Sequence, residues 1–419
     1  MMAYIIRPIA TTKETKKYFI PVLLVKMFGA IAVGLIYHFY YDGGDTFNFF
    51  EGSEYVHRAL LEKPLVGLKL LFSGSELEAQ TFEFARNIRY RTEPSAFLIV
   101  KIAGIIDLFT FHTYSATALF FAVFSFSGQW ALYRTYTRLF GRTDIYLTLI
   151  ILLVPSMIFW GSGLLKDTIT IGALGWTVHF LYKIFYFREF NLKNFILLLL
   201  FGYITLLVKA YIIIILLGTI AIWLYSINVQ LIKDRLIRYS LGPIMILLYA
   251  LMMYYATAVL TAGDLRYSLD GIAERARINA YDIYYRASAE GASSYYLGQL
   301  DGTFTGMLSL FPAAVNVSLF RPYFWEANNV LMLISSFESF LILVATILIL
   351  LFRFKNFFRV LGNPHFRFCI FFSISFAFGV GVSTYNFGSL VRYKIPLLPF
   401  YLLALYIIWN RERNVKRSV

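Results

Sequence analysis

The 419-residue chain is 59% hydrophobic and 19% aromatic and carries only 15% charged residues, well below the roughly 25% of an average soluble domain. That composition excludes an ordinary soluble globular protein and reads as an integral membrane protein. The formal net charge is +14, which in a soluble chain would raise nucleic-acid binding, so where the charge lies matters more than its sum.

Several apolar windows reach the roughly 20 residues that cross about 30 Å of hydrocarbon. The first, "YFIPVLLVKMFGAIAVGLIY", follows a basic segment. It is too long for the apolar region of a cleaved signal and lacks a small-residue cleavage site, so it is read as an anchor. Spans are expected near 18–40, 114–133, 145–161, 168–187, 194–208, 210–227, 240–262, 328–352, 367–385 and 393–410. The fold class is therefore all-α: a polytopic transmembrane helical bundle of about ten spans plus juxtamembrane helices, forming a single integral membrane domain over 1–419. Residues 42–113 form a first outer loop with juxtamembrane helices, and 263–327 a second long outer loop. The apolar segment 94–111, "PSAFLIVKIAGIIDLFTF", is read as interfacial, because Lys101 and Asp107 would each cost about 2.5 to 3.5 kcal/mol at the bilayer centre. The single cysteine, Cys369, permits no internal disulfide. There is no CxxC, HExxH or phosphate-binding glycine loop.

This threading sorts the charges. Segments 1–17, 134–144, 183–193, 228–239, 353–367 and 411–419 are all basic, with a net +16 between them, as short cytoplasmic segments should be. The long loops are mildly acidic. Residues 42–94 hold nine carboxylates against six Lys/Arg, and 263–326 hold seven against five. Both termini are thus expected in the cytoplasm, and no nucleic-acid partner is expected.

A few cations then lie at the outer ends of spans: Lys166 in "GSGLLKDT", Lys209 in "LLVKAY", Arg321 in "FRPYFWE", and Arg392 and Lys394 in "LVRYKIP". Lys and Arg snorkel to either interface, which is the bland explanation for each. Together they suit an anion held at the membrane surface, with a lipid phosphate as the obvious ligand. Carboxylates share that face. Asp45 and Glu51 belong to "DGGDTFNFFEGS", Asp167 follows Lys166, Glu326 closes "RPYFWE", and Glu338 lies within a span. An intramembrane acid is a functional hypothesis by default. A carboxylate beside clustered cations is equipped for group transfer: the acid takes a proton from an acceptor while the cations stabilise a departing phosphate. Gly43 and Gly44 allow a tight turn that points Asp45 back toward the membrane surface, although Asp45 or Thr46 could equally serve as a helix N-cap.

In their order, "GGDTFNFFEGSEYVHRAL", "EPSAFLIVKIAGIIDLF", "LLVPSMIFWGSGLLKDTI" and the closing "VRYKIPLLPFYLLAL" resemble the GT-C superfamily of polytopic glycosyltransferases. The likeness covers about the first 190 residues and the last span. It implies a polyprenyl-(pyro)phosphate-linked sugar donor, a glycan, lipid or protein acceptor, a site on the periplasmic or extracellular face, and a home in a bacterial inner membrane rich in lipid contacts. It also implies Asp45 as base or acceptor-orienting acid, Asp167 as the second-loop acid and Arg392 as a phosphate contact. The second outer loop lacks the DxD that would hold a divalent metal, so no cofactor is assigned. Alternatives are an O-antigen or exopolysaccharide polymerase, which would use Arg266, Arg275, Arg277, Arg286 and Arg321, and a lipid-linked oligosaccharide transporter. The sequence shows no internal repeat of the kind transporters carry.

Overall fold

The computed structural model describes residues 2–229 and 301–410, with scattered positions between 243 and 298. Most of the expected span 240–262 and part of the loop 263–327, including Arg266, Arg275 and Arg286, lie outside the described residues, as do 230–239 and 411–419. Among the described residues every regular element is helical, apart from one isolated antiparallel bridge between Ser294 and Asn386. The chain divides into two compact units, Met1–Tyr211 and Ile212–Val419.

The first unit contains α1 (Met2–Ala10), α2 (Lys16–Phe39), α3 (Asp45–Glu62), α4 (Pro64–Phe72), α5 (Phe82–Ala85), α6 (Pro94–Thr110), α7 (Tyr114–Phe140), α8 (Ile145–Leu152), α9 (Pro155–Phe159), α10 (Lys166–Leu181) and α11 (Leu192–Val208). Helix α12 (Ala210–Asn228) begins at the division. The second unit continues with α13 (Phe304–Ser309), α14 (Phe311–Phe320), α15 (Val330–Val360), α16 (Pro364–Thr384), α17 (Phe387–Tyr393) and α18 (Leu398–Asn410).

Among the described residues, six helices are long and apolar enough to cross a membrane: α2, α7, α12, α15, α16 and the stretch Phe387–Asn410 that joins α17 to α18. Three of the other expected spans have a different form. The segment 145–161 is not one helix, because Val154 is extended before Pro155 and the chain restarts as the short α9. Proline lacks the N–H that a continuous helix needs, and it disfavours helical geometry in the residue before it. The segment 168–187 is the sixteen-residue α10 running into a π-turn at Tyr182–Tyr186. Residues 194–208 fall in α11, seventeen residues long.

The short α9 and the loop after it leave backbone carbonyls without helical partners, which cannot be left bare in a water-poor interior. Side chains take them up. Lys26 Nζ donates to the Met157 carbonyl at 2.7 Å, Ser125 Oγ to Gly161 at 2.7 Å and Thr168 Oγ1 to Gly163 at 2.6 Å.

Helices α7 and α10 cross at backbone distance. A Cβ on Gly128 would run into the Gly172 carbonyl, and one on Gly175 into the Gly128 carbonyl. Small residues at such crossings let helices gain close packing where lipid supplies no hydrophobic drive. In the second unit α16 packs on α14 and α18. Its face there is aromatic, with Phe368, Phe372 and Phe376 fully buried and the Phe372 ring 4.8 Å from that of Phe400.

Gly128→Val should therefore lower the thermal midpoint of the detergent-solubilised protein, through overpacking worth about 1–3 kcal/mol or more. Gly202→Ala on α11, where the added Cβ meets nothing within 4 Å, should leave the midpoint unchanged. Equal behaviour of the two variants would refute the close crossing.

Candidate functional site

In the first unit, the turn after α2 is built as the glycines require. Asp42 is exposed with φ 51°, and Gly43 and Gly44 have φ of 116° and 119°, in the region that favours glycine. Gly44 is the N-cap, so Asp45 is the first residue of α3, where a carboxylate complements the positive helix end. Asp45 is half-buried and accepts a hydrogen bond from the Tyr90 hydroxyl at 2.9 Å. Asn48 Nδ2 reaches the same hydroxyl at 3.2 Å, and the Arg89 guanidinium donates to Asn48 Oδ1 at 3.0 Å. Burial, followed by the neighbouring Asp45 charge, pushes the Tyr90 phenol above its usual range. Tyr90 therefore stays a neutral donor to Asp45.

The same segment leads to the next acid. The Glu93 N–H donates to the Tyr90 carbonyl at 3.2 Å, and Glu93 forms an ion pair with Lys166 at 2.5 Å. This pair is partly exposed, with 52% of Glu93 and 24% of Lys166 accessible, so its stabilisation is about 0–1 kcal/mol. The adjacent Asp167 is buried and receives Lys209 Nζ at 2.5 Å. Asp167 sits in the first turn of α10 and Lys209 caps the C-terminal end of α11. Each charge thus matches its own helix dipole as well as its partner. Asp45, Lys166, Asp167 and Lys209 are therefore linked through the segment Tyr90–Glu93. Glu51 stands exposed on α3 and takes no part.

In the second unit, Arg321 grips Glu326 with Nε at 3.1 Å from both carboxylate oxygens and with a further contact from its terminal nitrogen. The Tyr323 N–H also donates to Glu326 at 2.8 Å. The guanidinium lies among three rings, 5.1 Å from Phe387, 5.7 Å from Tyr295 and 5.8 Å from Tyr323. Tyr295 comes from the tyrosine-rich second loop and docks by its hydroxyl on Thr384 at 2.6 Å. Lys394 is completely buried. Its Nζ donates to the Arg321 carbonyl at 3.0 Å and to Ser339 Oγ at 2.9 Å, and it feels the charge of the buried Glu338 on α15. Arg392, on α17, is half-buried.

Two buried polar groups stand outside the residues singled out by charge and position. Lys26, in the middle of α2, is 1% exposed. A lysine deep within an apolar run is its only sequence signal. Asp107, on α6, is fully buried and accepts from Ser53 at 2.6 Å, Thr117 at 2.5 Å, Thr110 at 3.3 Å and His112 Nδ1 at 3.0 Å. The His112 ring lies flat on Phe50, with centroids 4.0 Å apart. Lys101, the other charge of this segment, reaches the Ser73 carbonyl at 2.6 Å. The polar groups of α6 are thus satisfied within the protein, and Asp107 ties α3, α6 and α7 together.

Among the described residues no three His, Cys, Asp or Glu side chains gather as a cation would require. Breaking the Asp167–Lys209 pair from either side should cost about 3–5 kcal/mol, because the remaining charge stays buried. Asp167→Asn and Lys209→Met should each unfold at clearly lower temperature, and the double variant should recover much of the loss. A fully additive double-mutant cycle would disprove the coupling. Protein-family models, curated proteins and solved structures show no match to this chain.

Proposed function

We propose that this protein is an integral membrane glycosyltransferase of the GT-C kind. It moves a sugar from a polyprenyl-(pyro)phosphate donor to a lipid, glycan or protein acceptor, with Asp45 as base. The observation that carries the reading is the setting of Asp45. Consecutive glycines end the first span, and the next residue presents a half-buried carboxylate at a helix N-terminus, oriented by Tyr90. A solvated helix end would not need that orientation.

In the reaction, an acceptor hydroxyl donates to the Asp45 carboxylate. As the acceptor oxygen attacks the sugar C1, its proton passes to Asp45. The bond from C1 to the phosphate oxygen breaks, and its electron pair leaves on the phosphate. Lys166, half-exposed beside Glu93, is the first unit's cation best able to meet that charge. Asp167 and Lys209 hold α10 and α11 behind it. The polymerase alternative draws on loop arginines. Two of these are engaged by carboxylates, Arg277 by Glu274 at 2.7 Å and Arg321 by Glu326.

Asp45→Asn should lower transfer from a polyprenyl-linked sugar by about 10²–10⁴-fold, the usual contribution of a positioned base, with helicity and thermal midpoint unchanged. Tyr90→Phe, which removes only the orienting hydrogen bond, should cost less. Full activity in Asp45→Asn, assayed by radiolabelled sugar transfer in proteoliposomes, would rule out the base. Movement of the labelled lipid without bond cleavage would indicate a transporter instead.

A further inference from the structure

Helix α15 runs for 31 residues but is not continuous in geometry, because Arg353 departs from helical backbone angles (φ −122°, ψ 22°). The 23 residues before it, 330–352, contain one charge, Glu338. At 1.5 Å per residue they extend about 34 Å, close to the roughly 30 Å of a hydrocarbon core. The kink thus falls where the helix would leave the acyl chains.

Beyond it the sequence reads "RFKNFFRV", and the exposed side chains alternate between Phe354 and Phe358 on one hand and Lys355 and Arg359 on the other. Asn356 Nδ2 donates to the Ile408 carbonyl at 3.3 Å and fastens this end to α18. The Arg353 guanidinium lies 4.8 Å from the centre of the half-exposed Trp409 ring. Its Nε is buried with no hydrogen-bond partner among the described residues.

We propose that this kink binds the headgroup of an anionic phospholipid. Arg353 is held against an indole with its Nε unpartnered, and a guanidinium so placed can receive a phosphate in a forked contact. Lys355 and Arg359 add positive charge at headgroup depth, and the exposed phenylalanines bury in the acyl boundary beneath. The site is independent of any glycosyl transfer and lies wholly in the second unit.

The test compares thermal unfolding in nanodiscs of phosphatidylcholine alone with nanodiscs that also contain phosphatidylglycerol. The anionic lipid should raise the midpoint of the wild type, and Arg353→Gln should abolish most of that increment. Arg138→Gln, which removes an exposed arginine paired with Glu189 in the first unit, should retain it. An increment unchanged in Arg353→Gln would overturn the proposal. So would equal loss in Arg138→Gln, which would mean a diffuse surface charge. Stabilisation of the neutral nanodisc by inorganic phosphate to the same degree would assign the site to a free anion and also overturn it. A readout without the Arg353 variant is quenching of tryptophan emission by brominated lipid. The component lost in Trp409→Phe should be quenched more by brominated phosphatidylglycerol than by brominated phosphatidylcholine, and equal quenching by the two would count against a specific site.

Discussion

Within hydrocarbon no water is available to satisfy a freed carbonyl or an isolated charge, so each such group has to find its partner in the protein. Both units are organised by that constraint. Around the short α9 that follows Pro155, Lys26, Ser125 and Thr168 reach in to hold the carbonyls of Met157, Gly161 and Gly163. Where charges are buried, they occur in sets: Asp167 with Lys209, Asp107 with four donors, and Lys394 with Arg321 and Ser339. These interactions are not chiefly sources of stability, since desolvation cancels much of the gain. They specify which helices meet and in what register.

The same constraint separates cations that are committed from those that remain accessible. Lys209, Lys394 and Arg321 look alike in the sequence as outer-end charges, yet each is engaged by nearby protein atoms. Lys166, paired with the exposed Glu93, and Arg392 keep partial exposure. Among the acids, Asp167 is neutralised in place, Glu326 is gripped by Arg321, and Asp45 is oriented by a neutral phenol while still reachable.

Legibility from sequence followed the range of the interactions. The turn at "DGGDT" is a short-range matter, because consecutive glycines permit positive φ and a helix starts at the next residue, although the N-cap is Gly44 and not Asp45 or Thr46. The segment 145–161 was legible as apolar but not as broken. A proline near the middle of an apolar run is compatible with either a kinked span or a restart, and Lys26, Ser125 and Thr168, which stabilise the restart, come from three other places in the chain. Lys209 has no charged neighbour in sequence, and its partner lies 42 positions away. Asp107 was expected to be costly in apolar surroundings, and its four donors, drawn from α3, α6 and α7 and the turn between the last two, remove that cost.

What the sequence by itself determined is the class of molecule: a helical protein with apolar segments of membrane-crossing length, basic short connections and a glycine turn that presents Asp45. Those properties depend on composition, periodicity and local backbone freedom, which are additive along the chain. What only the tertiary structure decided is which charges are paired, which helices are continuous and which polar groups are buried. Those depend on pairings between residues tens of positions apart, and in a medium without water each such pairing is decided by the geometry of the partner that arrives, a property that no single segment carries.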